Sequence, residues 1–139
     1  MIIINAKNTI AGRLAAFAAK QALLGEEVRI INAEQAVISG DPKHILAHYQ
    51  QKVKRGTPSK GPFFSRMPDR FLRRIIRGML PYKKPRGREA YERILCYVGT
   101  PPEFEGKETV TLELSTVDKL PTLKYITIKE ICSKLGGKA

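Results

Sequence analysis

The tetrapeptide Ile-Ile-Asn-Ala occurs twice in this chain, at residues 3–6 and 30–33. Each copy closes a short apolar run, and the two runs constrain the fold more than any other feature. Ile2-Ile3-Ile4 is continuously apolar and β-branched, the pattern of a strand buried on both faces, as parallel sheets require. Val28-Arg29-Ile30-Ile31-Asn32 reads as a second strand. Between them Ile10, Leu14, Phe17 and Leu24 recur on one side of a helix, which Asn8 or Thr9 can cap and Gly25 can end in the left-handed region. Gly12, in the first turn, lowers helix propensity and is expected to allow close backbone approach to a sheet or ligand. Strand, helix and strand make a βαβ unit with a right-handed crossover. Asn5 and Asn32 then fall at strand C-terminal ends, where open parallel sheets place ligands; turn-favouring asparagine after a strand is the better reading.

Ala36-Val37-Ile38 reads as a short third strand closed by Gly40. Asp41-Pro42 caps and opens a helix reaching about Lys54, with Ile45, Tyr49 and Val53 inward. Residues 56–68 contain three Pro and two Gly, which excludes regular structure and marks a functional loop. Asp69 is placed to cap a third helix, Arg70 to Leu80, stopped by Pro81. Tyr82 to Arg88 reads as a second extended basic segment, followed by a short helix near 88–93 and a strand over Ile94–Gly99. Residues 109–114 alternate as an edge strand does. Thr127-Ile128-Lys129-Glu130 is a capping box opening a last helix, with Ile128, Ile131 and Leu135 on one face and Gly136 after it. The chain reads as one domain over 1–139, an α/β body with a basic insertion (52–93) between its third and fourth strands.

Charge is distributed very unevenly. Of the whole-chain net charge of +12, residues 52–93 carry fourteen Lys/Arg against three acids, while the residues before and after are nearly neutral. A pI near 10 calls for a polyanionic partner, and clustering of the cations on one element points to nucleic acid. At 100° per residue, Arg70, Arg73, Arg74 and Arg77 fall within an arc of about 100°, opposite Phe71, Leu72, Ile75, Ile76 and Met79. This predicts a bare arginine stripe on a helix whose other face packs. Around it stand Lys52, Lys54, Arg55, Lys60, Arg66, Lys83, Lys84 and Arg86, interleaved with Phe63, Phe64 and Tyr82. Arginine meets phosphate bidentately, and aromatic rings stack unpaired bases. A solvated charge face mixes signs, and this stretch does not. The surrounding prolines and the lack of Trp argue against a membrane-surface helix. No run approaches the roughly 18 apolar residues of a bilayer span. Without a basic n-region or long apolar h-region at the N-terminus, no signal peptide is expected and the chain is expected to be cytosolic.

Chemistry is poorly supported. His44 and His48 have the i, i+4 spacing of a zinc protease, but Ile45 stands where the general-base Glu belongs. Gly56 and Gly61 have phosphate-loop spacing, but Pro62 occupies the lysine position; near Gly106-Lys107, Pro101 and Glu108 break the same pattern. There is no G-x-G-x-x-G after either early strand. Cys96 and Cys132 match no zinc spacing and read as buried thiols in a reducing compartment. No enzyme, cofactor, metal or small-molecule substrate is expected.

Taken together, Ile76-Arg77-Gly78-Met79-Leu80-Pro81, five residues, Gly87-Arg88, five more, then Ile94-x-Cys96-Tyr97-x-Gly99 resembles the signature of the ribosomal protein L-thirteen (universal uL-thirteen) family of the large subunit. Gly12-Arg13-Leu14-Ala15 after Asn5-Ala6, and Asn32-Ala33-Glu34 leading to Ser39-Gly40, agree with it. Arg55-Gly56, Gly61-Pro62-Phe63 and the absence of an N-terminal extension look like its archaeal and eukaryotic branch. The resemblance implies a three-layer α/β/α fold with a mainly parallel sheet of about four strands. It implies a structural, non-enzymatic protein that binds large-subunit rRNA beside neighbouring ribosomal proteins and takes part in subunit assembly. Arg77, Arg88 and Arg13 become RNA contacts by position, Arg13 alternatively supporting packing around Gly12. Residues 100–123 match no pattern. The competing classes are a free-standing RNA-binding regulator acting off the ribosome and a nucleotide-dependent α/β enzyme.

Overall fold

The computed structural model describes residues 1–57, 59–61, 65–112, 116 and 124–136. The repeated apolar runs form adjacent parallel strands, β1 (Ile2–Asn5) and β2 (Val28–Ile31), paired from Ile2↔Val28 to Asn5↔Ile31. Helix α1 (Ala11–Leu23) makes the crossover between them. The third parallel strand is Ile94–Cys96, which pairs with β2 to give the order β1, β2, then this late strand. A further parallel bridge, Ile4↔Val110, extends the outer edge of β1, so the expected edge strand over 109–114 makes one bridge there; its residues 113 and 114 lie outside the described residues.

The segment Val37–Ser39, β3, leaves this sheet. It pairs antiparallel with Tyr125–Thr127 and touches Ile10 through a single parallel bridge. Numbering on in chain order gives α2 (Pro42–Lys54), α3 (Pro68–Gly78), α4 (Pro85–Glu92), β4 (Ile94–Cys96), β5 (Tyr125–Thr127) and α5 (Ile128–Lys134), with 3₁₀ turns at Ala33–Gln35 and Pro102–Phe104.

Period-two alternation sends Ile4, Val28, Ile30, Ile94 and Cys96 to one sheet face. There they join a single buried cluster with Leu14, Ile45, Phe71, Leu72, Ile76, Ala90 and Ile131, drawn from all five helices. Ile3 and Ile31 face the other way and are covered by Phe104, with Tyr97 beside them. The α/β class stands, with helices gathered on one face and a 3₁₀ turn on the other.

Local capping explains several helix bounds. Asp41 accepts from the Lys43 amide and Pro42 opens α2; Thr127 accepts from the Glu130 amide and opens α5. Asn8 and Thr9 do not cap α1. Ile10 occupies the N-cap without a side-chain bond, Asn8 has φ 56°, and the Thr9 hydroxyl donates to the Lys7 carbonyl instead. The buried face of α1 is largely alanine, and Leu24, expected inside, is 70% exposed past the helix end. A methyl group at Gly12 would meet open space, so that glycine serves no close approach to the sheet. The two strand-terminal asparagines bond to each other: Asn32 Nδ2 donates to Asn5 Oδ1 at 3.0 Å, and the Lys7 amide donates to the same oxygen at 3.1 Å. With Asn32 at φ 56°, their turn role accounts for both.

Candidate nucleic-acid interface

The basic stretch is no appendage. Phe71, Leu72 and Ile76 of α3 are buried, and α3 packs against α1, α5 and β4. Complete burial of such side chains stabilises by roughly 1.5–3 kcal/mol each. That anchorage holds a charged helix on the body despite like-charge repulsion. The helix begins two residues earlier than expected: Pro68 is its first residue and Met67 the N-cap, so Asp69 is not the cap. Asp69 lies in the first turn, where a carboxylate suits the helix dipole.

The four arginines of α3 divide into two kinds. Arg70 and Arg74 are exposed. Arg73, expected on the bare stripe, is half-buried and turned back to the body. Its Nε donates to the Ile94 carbonyl at 2.8 Å and its Nη2 to the Tyr91 carbonyl at 3.1 Å, while the guanidinium lies 4.0 Å from the Tyr91 ring centroid. A guanidinium is a planar fork of donors, and here it joins α3 to the end of α4 and the start of β4. Arg77 is also half-buried, with its guanidinium 4.8 Å from the Tyr82 ring centroid. Tyr82 meets Tyr91 edge-on, centroids 5.5 Å apart and planes at 85°. Arg73, Tyr91, Tyr82 and Arg77 therefore form a continuous chain of ring and guanidinium contacts leading from β4 to the surface.

The second basic segment is shorter than predicted. Only residues up to Lys84 form a turn; Pro85 starts α4, so Arg86 and Arg88 project from a helix rather than an extended strap. Gly87 makes this possible. A methyl group at that position would overlap the Pro81 carbonyl, so glycine lets the first turn of α4 rest against the Pro81–Tyr82 turn. Lys83, Lys84, Arg86 and Arg88 are all exposed.

Upstream, Lys54, Arg55, Lys60 and Arg66 are exposed, and Lys52 is half-buried with its ammonium 5.3 Å from the Tyr49 ring. Thr57 and Gly61 close a tight turn by exchanging backbone hydrogen bonds of 3.0 and 2.9 Å. Phe63 and Phe64 lie outside the described residues. Arg13 is exposed on α1, on a different element from the basic segment.

Sequence reasoning missed three participants. Lys134 of α5 shares a groove of about 280 Å³ with Lys54 and Arg66, a juxtaposition made by tertiary packing across some eighty residues of chain. Tyr91 is the ring on which Arg73 rests. Arg93, counted among the cations, donates to the Ala22 carbonyl at 2.8 Å and so caps the end of α1.

Among the described residues, none of the fourteen cations from Lys52 to Arg93 is in an ion pair; the two pairs present join the Met1 amine to Glu26 and Arg29 to Glu27. Only three acids within the segment offset its field. His44 and His48 are exposed, and no cluster of metal-binding side chains occurs among the described residues. Burial pushes the thiols of Cys96 and Cys132 up to about 12, so neither is a nucleophile at neutral pH. No helix among the described residues is long and apolar enough to cross a membrane.

The sequence model of the family described as "Ribosomal protein L13" matches residues 1–103. The chain belongs to the ribosomal protein L13 family. A relative from Methanosarcina barkeri named "Large ribosomal subunit protein uL13" is 47% identical over 139 residues, covering 99% of each chain. One of the same name from Methanococcoides burtonii is 46% identical over 138 residues, again covering 99% of each. Another, from Haloarcula marismortui, is 42% identical over 136 residues, covering 98% of this chain and 91% of its own. The L13 signature thus has a physical reading in this chain: Pro81 and Gly87 are the two sides of one close backbone contact, and Cys96 is a buried sheet residue.

Proposed function

We propose that this chain is a structural component of the large ribosomal subunit that binds rRNA in the cytoplasm, takes part in subunit assembly and has no catalytic role. One observation carries the reading: fourteen cations, free of ion pairs among the described residues, sit on one segment whose helices are part of the hydrophobic core. Such a surface gains by releasing counterions from a phosphate backbone. Arg70, Arg74, Arg77, Lys83, Lys84, Arg86 and Arg88 form its centre, with Lys54, Arg55, Lys60, Arg66 and Lys134 beside it. Arg73 acts as a positioning residue for that surface. Kinship with proteins named for the large subunit supports the choice of rRNA over other polyanions, and of neighbouring large-subunit proteins as further partners.

Sedimentation tests the proposal. The tagged chain is expected to travel with large-subunit particles and stay with them through a high-salt wash. Quantitative release into the light fractions would instead favour a free-standing RNA-binding regulator.

A further inference from the structure

The exposed end of the Arg73–Tyr91–Tyr82–Arg77 chain of contacts opens into a groove of about 430 Å³ at the end of α3 and the turn that follows it, lined by Arg77, Leu80, Pro81, Tyr82, Lys83 and Lys84. Its chemistry is mixed in a particular way. Leu80 and Pro81 give an apolar floor, Tyr82 is 39% exposed, and three cations and no acid stand on the rim. A methyl group added at Gly78 would meet nothing within 4 Å, so the groove mouth is open on the α3 side. The platform is also held from beneath, because Arg73 is tied to two backbone carbonyls and in turn packs on Tyr91, which meets Tyr82 edge-on. A ring already fixed in place loses little freedom when a ligand covers it.

We propose that this groove seats one unpaired nucleotide of the RNA, its base stacked on the Tyr82–Arg77 pair and its phosphate between Lys83 and Lys84. The inference rests on the RNA-binding reading above and specifies what one part of that surface takes. A base in a duplex has both faces covered and cannot enter a concave site, whereas a splayed base can stack on Tyr and on a guanidinium plane. A bare anion would be served by the lysines alone and would leave the apolar floor unused.

The test uses the full chain and a short single-stranded RNA with 2-aminopurine at its centre, alongside the same RNA as a duplex. Binding of the single strand is expected to quench the fluorescent base. Tyr82→Ala should weaken single-strand binding about tenfold with its salt slope unchanged, Tyr82→Phe should restore it, and duplex binding should not respond. Lys83→Ala with Lys84→Ala should instead reduce the single-strand salt slope by about 0.7, one phosphate contact's worth. Equal binding by wild type and Tyr82→Ala would overturn the nucleotide site, as would equal losses for single strand and duplex. Arg70→Glu with Arg74→Glu, measured on an rRNA fragment, separates the two readings: if that pair still weakens binding, RNA recognition stands and only the groove assignment falls. Circular dichroism melting of each variant checks that the fold is retained.

Discussion

Helices α1 and α3 lie against one another on the same sheet face, yet they are built on opposite principles. The buried face of α1 is Ala11, Leu14, Ala15, Ala18, Ala19 and Ala22, while that of α3 is Pro68, Phe71, Leu72 and Ile76. Small residues let α1 approach the sheet closely and leave its outer face weakly charged. Large ones root α3 deeply enough to carry four arginines. The contrast teaches where the binding surface comes from: charge density outside is supported by bulk inside, on the same helix.

Each helix can be broken in its own way. The largest effect is expected at α3, where Phe71→Ala removes a fully packed ring and should cost about 3–5 kcal/mol in denaturant unfolding. A loss below about 1 kcal/mol would mean that α3 is not rooted through its bulk. On α1 the reverse change matters: Ala18→Leu should destabilise by about 1–3 kcal/mol through overpacking, and a neutral outcome would show slack between α1 and its neighbours. Next, Arg73→Ala should cost about 1–3 kcal/mol because two carbonyls lose their donor, whereas Arg74→Ala should leave stability within about 0.5 kcal/mol. Equal melting temperatures for the two would remove the distinction between inward and outward arginines.

The smallest effect concerns the floor beneath α3, where Cys96 of β4 and Cys132 of α5 are buried. Their folded-state thiols ionise only near about 12, against 9.0 for the ordinary thiol. Above pH 9 the unfolded chain loses these protons while the folded one keeps them. Stability is therefore full below pH 9 and falls as pH rises toward 12, by roughly 1 kcal/mol per thiol at pH 10. Replacing both cysteines by alanine should flatten that decline in chemical denaturation measured from pH 8 to 10.

What could be read from the sequence follows the range of the forces involved. The ends of α2 and the start of α5 were legible because Asp41, Pro42, Thr127 and Glu130 act within their own helical turn. The parallel β1–β2 pair was legible because the repeated apolar runs flank one helical pattern. Asp69 was misassigned because Pro68 has its own preference for the first helical position, which moves the cap back to Met67. The role of Arg73 was not legible: it stands at one edge of the same arginine arc that Arg74 closes at the other, and its carbonyl partners lie 18 and 21 residues away. Lys134 was hidden for the same reason, since only packing of α5 brings it beside Lys54 and Arg66. A charge pattern on a helical wheel locates a basic helix but does not divide its arginines between the body and the ligand.

The salt dependence of rRNA-fragment binding tests that division most directly. About six phosphate contacts give a log–log slope near −5 for the wild type. Arg70→Glu with Arg74→Glu, both outward, should weaken binding and make the slope shallower by about 2, with the melting temperature nearly unchanged. Binding that persists with an unaltered slope would contradict the account, because the outward face of α3 would then not be where the RNA lies.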